Sequence, residues 1–426
     1  MGIRTLFFTA LLAVTTAVQG QVLLADSALT IPRQTWIVAL PFEVAMDSAS
    51  ALNFDLPATY TMKNRMAVQF YTGLRAGVDS LNRSGFDIQL ALVEHVEATN
   101  TYRLEANGFL VSYSPEVFMS HLNRQALCQN GECKIIGPFR GDASESLAAL
   151  SNGIPVINPV SRKVDVTGKP YLIAAASHRT AEITRLAERA VAAQKMAPKS
   201  RTVLLLDGTS NDAAFLEAYA AAGGNTAEIV QKNYQGSATL DASAAVGVFT
   251  RIISLSDKVL VTARILNQLR PFEAAKTEFW TLGNVLSSSA LDAQLLMRQP
   301  LVWSQVERLD YIQFRRLDAL LFDAAQTTPG RWEWLGLDMA WFSAYMDSAT
   351  PNAFEGPRRM YLWKHVPGGG YFNQSALIYR YDRKNGVQAQ WTPSVDYAAE
   401  VDVLESPEGS SDAELSPDQL LEERIR

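Results

Sequence analysis

Histidine and cysteine are scarce in this chain of 426 residues, which has four of the first and two of the second. No two histidines have the spacing of metal ligands, and neither a phosphate-binding P-loop nor a His-Glu-x-x-His zinc motif occurs. The turn Gly208–Asp212 lacks the closing glycine of a serine-hydrolase nucleophile elbow. We therefore expect no enzymatic activity, no catalytic residue, no metal and no cofactor.

The chain also lacks an excess of positive charge and any apolar run long enough to span a membrane. Lysine and arginine number 38 against 44 acidic residues and form no concentrated basic patch, which argues against nucleic acid as a partner. No segment has the roughly 18 consecutive apolar residues of a membrane-spanning helix, so we expect no membrane span. The hydrophobic content of 48% is typical of a folded soluble chain, and the length allows two or three domains.

The first twenty residues have the composition of a signal peptide. Arg4 provides a positive start, Leu6–Val14 is a short apolar run, and Val18 and Gly20 are small residues suited to cleavage. We expect the mature chain to begin at Gln21 and to be exported to the periplasm. Because no cysteine precedes position 128, the lipid-attachment cysteine of a lipoprotein is missing.

The two cysteines, Cys128 and Cys133, lie close together in the sequence. In an exported protein such a pair favours a disulfide, and Asn130-Gly131 supplies a turn that can bring the two ends together. The alternative is a pair of free thiols packed at a helix end. No Cys-x-x-Cys motif is present, so a dithiol redox role is not expected.

Two runs of alternating strands and helices follow. The first run predicts strands at Thr35–Phe42, Asp87–Val93, Lys134–Ile136, Pro155–Asn158 and Tyr171–Ala176, and helices at Met62–Leu81, from Pro115 to about Leu127, and at Ser144–Ser151 behind an Asp142 N-cap. The second run predicts strands at Arg201–Leu206, Glu228–Tyr234, Lys258–Thr262 and Phe279–Leu282, and helices at His178–Lys195, from about Asp212 to Gly223, within Ala242–Ser254, and from Arg264. Each run needs its own sheet, so we expect an α/β protein with two doubly wound parallel-sheet lobes.

The last third of the chain alternates less clearly. It predicts a strand at Leu309–Gln313, helices at Arg315–Gln326 and Leu335–Met346, and antiparallel strands at Met360–Trp363, Gln374–Tyr381 and Val387–Trp391. The tryptophans between Trp332 and Trp341 fit a buried helix face, with an exposed protein-contact patch as the alternative. Residues 399–426 are acidic and contain prolines and serines, which predicts a disordered tail.

One stretch is more informative than any other. The strand Lys134–Ile136 ends at Gly137-Pro138, a short helix follows, and Pro155–Asn158 starts a second buried strand. Such a short strand–helix–strand unit implies parallel strands whose carboxyl ends share one sheet edge, where ligands bind in open α/β sheets. The segments Ile-Ile-Gly-Pro and Ile-Pro-Val-Ile-Asn-Pro-Val-Ser resemble the first-lobe core of type I periplasmic binding proteins, the leucine/isoleucine/valine-binding branch of solute receptors. By element order the resemblance covers roughly residues 35–380.

The resemblance implies two lobes joined by a hinge. It assigns residues 21–176, with a return segment at about 305–350, to the first lobe, and residues 177–304, with a return segment at about 358–395, to the second. It implies capture of a small polar ligand, amino-acid-like or peptide-like, in the interlobe cleft, with hinge closure around it. The alternative is a ligand-free envelope scaffold or regulator of cell-wall synthesis with the same fold, acting in an envelope protein complex.

Candidate ligand-binding residues lie where the predicted strands end. In the resembled family such turns contact the ligand through hydroxyls, backbone amides and helix N-termini, and the matching positions here are Gly141, Asp142 and Ser161. The complete set is Arg140, Gly141, Asp142, Ser161 and Arg162 in the first lobe and Ser177, His178, Thr209, Ser210 and Asn284 in the second. The plainer interpretation is that the short polar side chains cap helices and the arginines form ion pairs.

The turn after Gly137-Pro138 departs from the family pattern. Phe139-Arg-Gly-Asp142 stands where the family often has a hydroxyl-rich turn. This departure favours a larger or differently charged ligand than a simple amino acid, and it also allows the ligand-free alternative. The receptor hypothesis requires Arg140, Asp142 and Ser161 to face one cavity.

Overall fold

The computed structural model describes residues 33–42, 62–106, 109–124, 128, 133–234, 240, 248–286, 288, 290–308, 315–346 and 353–391. The predicted signal peptide, the strand predicted at Leu309–Gln313 and the predicted acidic tail lie outside these residues. Among the described helices, none combines the length and apolar character that crossing a bilayer requires.

Strands and helices alternate through the described part of the chain. The strands are β1 (Gln34–Leu40), β2 (Ile88–Val96), β3 (Thr101–Ala106), β4 (Phe109–Tyr113), β5 (Cys133–Ile136), β6 (Val156–Asn158), β7 (Leu172–Ala174), β8 (Arg201–Leu206), β9 (Ile229–Asn233), β10 (Thr250–Ser254), β11 (Thr277–Leu282), β12 (Leu301–Gln305), β13 (Phe354–Glu355), β14 (Met360–Tyr361), β15 (Trp363–His365), β16 (Tyr371–Asn373), β17 (Leu377–Asp382) and β18 (Gly386–Trp391). The α-helices are α1 (Met62–Arg83), α2 (Pro115–Asn123), α3 (Gly141–Leu150), α4 (Arg179–Met196), α5 (Ser210–Ala221), α6 (Val259–Gln268), α7 (Gly283–Leu286), α8 (Ala293–Leu296), α9 (Arg315–Ala325) and α10 (Arg331–Tyr345), and short 3-10 turns cover Thr226–Glu228 and Ala274–Lys276.

The strands form two large sheets with the same central order. The first sheet runs β15-β16-β7-β6-β5-β1-β2-β3-β4 and the second β18-β17-β12-β11-β10-β8-β9. The parallel core β2-β1-β5-β6-β7 of the first matches β9-β8-β10-β11-β12 of the second. This is the doubly wound order in which ligand crevices form at the carboxyl edge, between the first and third strands. The predicted fold class, two doubly wound α/β lobes, is confirmed.

The last strands are divided between the two sheets. β15 and β16 join the first sheet, where β16 runs parallel to β7. β17 and β18 join the second sheet, where β17 runs antiparallel to β12. The return segment expected in the second lobe at about 358–395 therefore differs from the structure, because its first part completes the first sheet.

Helix α1 has the apolar face that its sequence predicts. Phe70, Leu74, Val78 and Leu81 are buried against the first sheet, while Met66 is partly buried at the same stripe. The apolar contacts continue to Trp36, which is fully buried in β1. Burial of such side chains stabilises a fold by about 1.5–3 kcal/mol each, so this face anchors the first lobe.

Helix α10 crosses α1 at near backbone contact. A Cβ atom added to Gly73 would lie 1.8 Å from the carbonyl oxygen of Glu333, and one added to Gly336 would lie 2.0 Å from that of Phe70. Only glycine at both positions lets the two helices approach this closely. The carboxyl end of α10 is fixed as well, because buried Lys134 of β5 donates hydrogen bonds to the carbonyls of Ser343 and Met346.

The aromatic segment at Trp332–Phe342 is mainly core. Trp334 and Phe342 are buried, which agrees with the interpretation as a buried helix face. Trp332, at the second position of α10, instead lies against Phe139 in the gap between the lobes.

The disulfide between Cys128 and Cys133 is present. Both residues are buried, and their Cα atoms are 4.6 Å apart. The bond fastens the chain before β5 to the start of that strand, and the alternative of two free thiols is wrong.

Two local predictions are wrong, and a third is only partly covered by the described residues. Of the range Ala242–Ser254, within which the sequence favours a helix, Thr250–Ser254 is a buried strand and residues 242–247 lie outside the described residues. The strand predicted at Lys258–Thr262 and the helix predicted from Arg264 are one helix, α6, because Thr262, Ile265 and Leu266 bury a single helical face. Asp142 is not the N-cap of α3, since that position belongs to Arg140.

Several strands escape the sequence prediction. β3 and β4 form an antiparallel hairpin next to β2, and β12 and β16 occupy interior positions in the two sheets. They are three to six residues long. Segments this short carry little periodicity, and only tertiary pairing identifies them as strands.

Substitution of Gly336 by alanine tests the close crossing of α1 and α10. Helix propensity alone favours alanine over glycine by about 1 kcal/mol. The added Cβ would collide with the backbone of α1, so we expect a net loss of about 2–3 kcal/mol in the free energy of unfolding. Denaturant titration measures the change, and a variant as stable as the parent protein would contradict this packing.

Candidate functional site

The carboxyl edges of the two sheets meet across a gap. Arg162, in the turn after β6, reaches from the first lobe to Glu182 on α4 of the second, with 3.2 Å between Nη1 and Oε2. Glu182 is 1% exposed. An ion pair this deeply placed shows that the turns after the strands face a common space.

The first-lobe turns are held together by the buried amide of Asn158. Its Nδ2 donates to the carbonyl of Pro138 at 2.7 Å, and its Oδ1 accepts the N–H groups of Val160 and Ser161 at 3.1 and 2.7 Å. Gly141 lies beside the second turn, since a Cβ added there would be 3.0 Å from Ser161 Oγ. Gly141 and Ser161 are therefore neighbours.

Arg140 and Asp142 form an ion pair with each other at the surface. Arg140 Nε donates to Asp142 Oδ1 at 2.9 Å, and Nη1 donates to the carbonyl of Glu97 at 3.0 Å. The hydrogen bond from Arg140 lowers the pKa of Asp142 below its ordinary value. Both side chains are exposed, so this pair ties the turn to the loop after β2.

Ser177 and His178 hold the hinge and the start of α4. Buried Ser177 donates from Oγ to the carbonyl of Ser375 at 2.6 Å, which joins two of the chain crossings between the lobes. His178 is the N-cap of α4, and its Nδ1 accepts the N–H of Thr180 at 3.4 Å. Burial lowers the pKa of His178, and the nearby charge of Arg162 acts in the same direction.

The second-lobe edge contains a polar cluster around Arg179. Its guanidinium contacts Glu182 at 2.7 Å, Asp257 at 2.7 Å and Asn284 at 3.1 Å. Of this cluster the sequence identifies only Asn284. Arg179 and Glu182 directly follow the predicted Ser177-His178 turn at a spacing of three, and that helical spacing was the available signal.

Thr209 and Ser210 begin α5 and remain apart from the interlobe ion pair. Thr209 is at the N-cap position but makes no side-chain capping bond. Asp212 caps the turn instead, because its Oδ2 accepts the N–H groups of Asp207 and Gly208 at 2.9 and 3.1 Å. Ser210 is exposed at the first helical position.

A small cavity lies beside the turn after β6 and the first turn of α10. A cavity of ≈ 30 Å³ is lined, among the described residues, by Pro159, Val160, Arg162, Ala176, Ser177, Val306, Arg331, Trp332, Leu335 and Arg359. Ligand pockets commonly measure about 300–1,000 Å³. Of the predicted site residues only Arg162 and Ser177 line it, so Arg140, Asp142 and Ser161 do not face this cavity.

Aromatic side chains account for part of the filling. Phe139 stacks on Trp332 with 6.4 Å between ring centroids and meets Phe70 edge to face at 5.4 Å. The guanidinium of Arg331 lies over the Trp332 ring at 5.5 Å. Phe139, the first residue of the segment that stands where a hydroxyl-rich turn was expected, is therefore a buried packing residue.

A second ion-pair group lies below the cavity. Glu307, which follows β12, contacts Arg331 at 3.0 Å and Arg359 at 2.9 Å. Burial opposes ionisation of Glu307, but Arg359 and Arg331 outweigh it and lower its pKa. Next to this group, buried Asp338 accepts the N–H of Arg358 at 3.1 Å, and burial raises its pKa to about 7.

A larger surface groove lies away from the gap. It has a volume of ≈ 710 Å³ and runs between α4 and α5. Its walls include Ala192, Ala214 and Ala218, and none of the predicted site residues lines it.

The chain is similar in fold to solute receptors and to a regulator. No family model and no curated protein sequence matches it. A candidate branched-chain amino acid ABC transporter protein from Rhodospirillum rubrum gives a TM-score of 0.55 at 12% identity, over 84% of this chain and 100% of that one. Full-length LpoA from Haemophilus influenzae gives 0.51 at 12% identity over 85% of this chain, which spans 59% of LpoA.

The C-domain of the same LpoA, described as a regulator of PBP1A, gives a TM-score of 0.49 at 11% identity, over 84% of this chain and 99% of the domain. Identities this low establish a fold and no more. The chain has the type I periplasmic binding protein-like fold.

Asp338 predicts a pH dependence of stability. Its folded-state pKa of about 7 exceeds the ordinary 3.8, so its contribution is complete below about pH 4 and is lost as the pH rises to 7. At about 1.4 kcal/mol per pKa unit, Asp338→Asn should flatten the stability change between pH 5 and pH 8 by on the order of 3 kcal/mol. Denaturant titrations at both pH values measure this, with the exposed Asp79→Asn as control. Equal pH profiles for parent and Asp338→Asn would contradict it.

Proposed function

We propose that this chain is an exported, non-enzymatic envelope protein that uses the binding-protein fold as a scaffold for contacts with other proteins. Its interlobe cleft is narrowed by its own side chains and does not carry a solute as large as an amino acid. The observation that carries the proposal is the cavity of ≈ 30 Å³, which is far below the size of an amino-acid pocket.

Bonds between the chain crossings support a closed, unloaded state. Ser177 joins the crossing after β7 to the one before β17. Asn373 donates to the carbonyl of Ala175 at 3.1 Å and accepts the N–H of Ser375 at 2.9 Å. With the Arg162–Glu182 pair, these contacts supply from the protein itself the closure that a ligand supplies in a receptor.

The proposed location rests on the disulfide and on the sequence. Disulfides persist in oxidising compartments such as the periplasm, and Cys128–Cys133 is bonded. The predicted signal peptide lies outside the described residues. Export without lipid attachment is accordingly part of the proposal.

A regulatory role is compatible with the fold. LpoA from Haemophilus influenzae shares it at a TM-score of 0.51, and its C-domain is described as a regulator of PBP1A. We infer for this chain a partner in an envelope protein complex, and cell-wall synthesis is the process in which we would look for it.

A solute receptor is the second candidate, and one observation favours it. Arg162 and Ser177, two of the predicted ligand residues, line the cavity. If the lobes opened, Arg162 could exchange Glu182 for the carboxylate of an amino-acid-like or peptide-like solute.

Distance measurements between the lobes distinguish the two candidates. Spin labels on Ala149→Cys in α3 and Ala213→Cys in α5 occupy exposed positions, one in each lobe. We expect one short distance that millimolar amino acids, short peptides and cell-wall fragments leave unchanged, and the same panel should leave Tm unchanged. Glu182→Ala in the labelled protein removes the interlobe ion pair and shows that the labels can report opening.

Receptor behaviour would look different. An empty receptor populates an open state that its solute closes, and a solute that binds only the folded state raises Tm in a saturable way. Either result for one class of compound would overturn the scaffold proposal and establish solute capture.

A further inference from the structure

Three arginine side chains meet at the interlobe cavity from three parts of the chain. Arg162 comes from the turn after β6, Arg331 is the first residue of α10, and Arg359 directly precedes β14. No carboxylate is among the described residues that line the cavity. The walls thus present cationic groups without an anionic one.

Carboxylates that lie outside the cavity hold the three arginines in place. Glu182 contacts Arg162, and Glu307 is shared by Arg331 and Arg359 at 3.0 and 2.9 Å. The Arg359 side chain is only 8% exposed. Their positions are therefore set by carboxylates outside the cavity, with Arg359 buried and Arg162 and Arg331 partly exposed to solvent.

The charges around the cavity balance in number but not in position. Four arginines, at positions 162, 179, 331 and 359, face four carboxylates, those of Glu182, Asp257, Glu307 and Glu333. The next shell adds Arg358 and Asp338, which offset each other when Asp338 is ionised. Three of the arginines line the cavity and the carboxylates do not, so the charges nearest its interior are positive.

Two helices, α4 and α10, begin near the cavity. Each has a glutamate in its first turn, Glu182 in α4 and Glu333 in α10, and these carboxylates offset the partial positive charge of the helix N-termini. The preference of the cavity for an anion therefore rests on the three arginines that line it.

We propose that the interlobe cavity binds one small monovalent anion, a chloride ion or a short carboxylate, between Arg162, Arg331 and Arg359. The anion joins the turn after β6 to the first turn of α10 and to the start of β14, all of which pack with the first lobe. By this measure of volume a cavity needs about 10–15 Å³ to hold one water molecule, so ≈ 30 Å³ leaves room for one small anion. That size admits chloride or formate and excludes a solute as large as an amino acid while the lobes remain closed.

Thermal unfolding in exchanged salts tests the proposal at constant ionic strength. Replacing potassium gluconate by potassium chloride should raise Tm of the full chain by about 2 °C or more, because an anion bound only to the folded state stabilises it. Arg162→Gln and Arg331→Gln should each lose this shift. Broadening of the chloride NMR line by the parent protein reports binding directly and should disappear in both variants.

Arg103→Gln is the matched control. Arg103 is exposed to a similar extent as Arg162, and it pairs with buried Glu94 at 3.5 Å within the first lobe, away from the cavity. It should retain both the chloride-dependent Tm and the broadened line. If Arg162→Gln fails to fold, the more exposed Arg331→Gln carries the test.

The outcomes separate the sources of the anion and the two proposals. If formate or acetate displaces chloride and so narrows the chloride NMR line, the site binds carboxylates. If neither narrows the line, the site binds halide ions. An amino acid that displaces chloride better than acetate would support the anion site while overturning the scaffold proposal. The absence of a chloride-specific shift in the parent protein, or an equal shift in all four proteins, would overturn the anion site.

Discussion

The near contact between helices α1 and α10 is the constraint on which the interlobe gap depends. Gly73 and Gly336 let the helices approach until a methyl group no longer fits between them. This approach, with Lys134 at the far end, determines where the first turn of α10 lies. That turn carries Arg331 and Trp332, so packing deep in the first lobe decides how much space remains between the lobes.

The two lobes are stabilised differently from the boundary between them. Each lobe has apolar clusters on both faces of its sheet. The boundary instead relies on shared carboxylates, with Glu182 and Glu307 each serving two arginines. Buried ion pairs contribute more to specificity of arrangement than to net stability. Such a boundary defines one closed geometry, while the two lobes keep separate apolar cores.

Much of the fold could be predicted from the sequence, and less of the site. Long apolar runs and the face of α1 identify the central strands and helices, because periodicity is a local property. The β-branched run at Lys258–Thr262 imitates a strand, and only the buried face of α6 shows otherwise. Asn284 could be predicted as a site residue because it follows a strand. The Glu307–Arg359 ion pair could not, because the two residues lie far apart in the chain. The sequence shows that Phe139 departs from the expected hydroxyl-rich turn. Its packing role could not be predicted, because that role depends on Trp332, which lies beside it only in the folded structure.

The path of the last strands has a consequence for biogenesis. β16 completes the first sheet and β17, four residues later, enters the second. Neither half can be excised as an independent fragment, because each borrows its outermost strands from the C-terminal quarter of the polypeptide. During synthesis both halves must wait, unfinished, until the ribosome has passed this segment. Folding of both halves is therefore completed late, once the C-terminal quarter of the chain has been made.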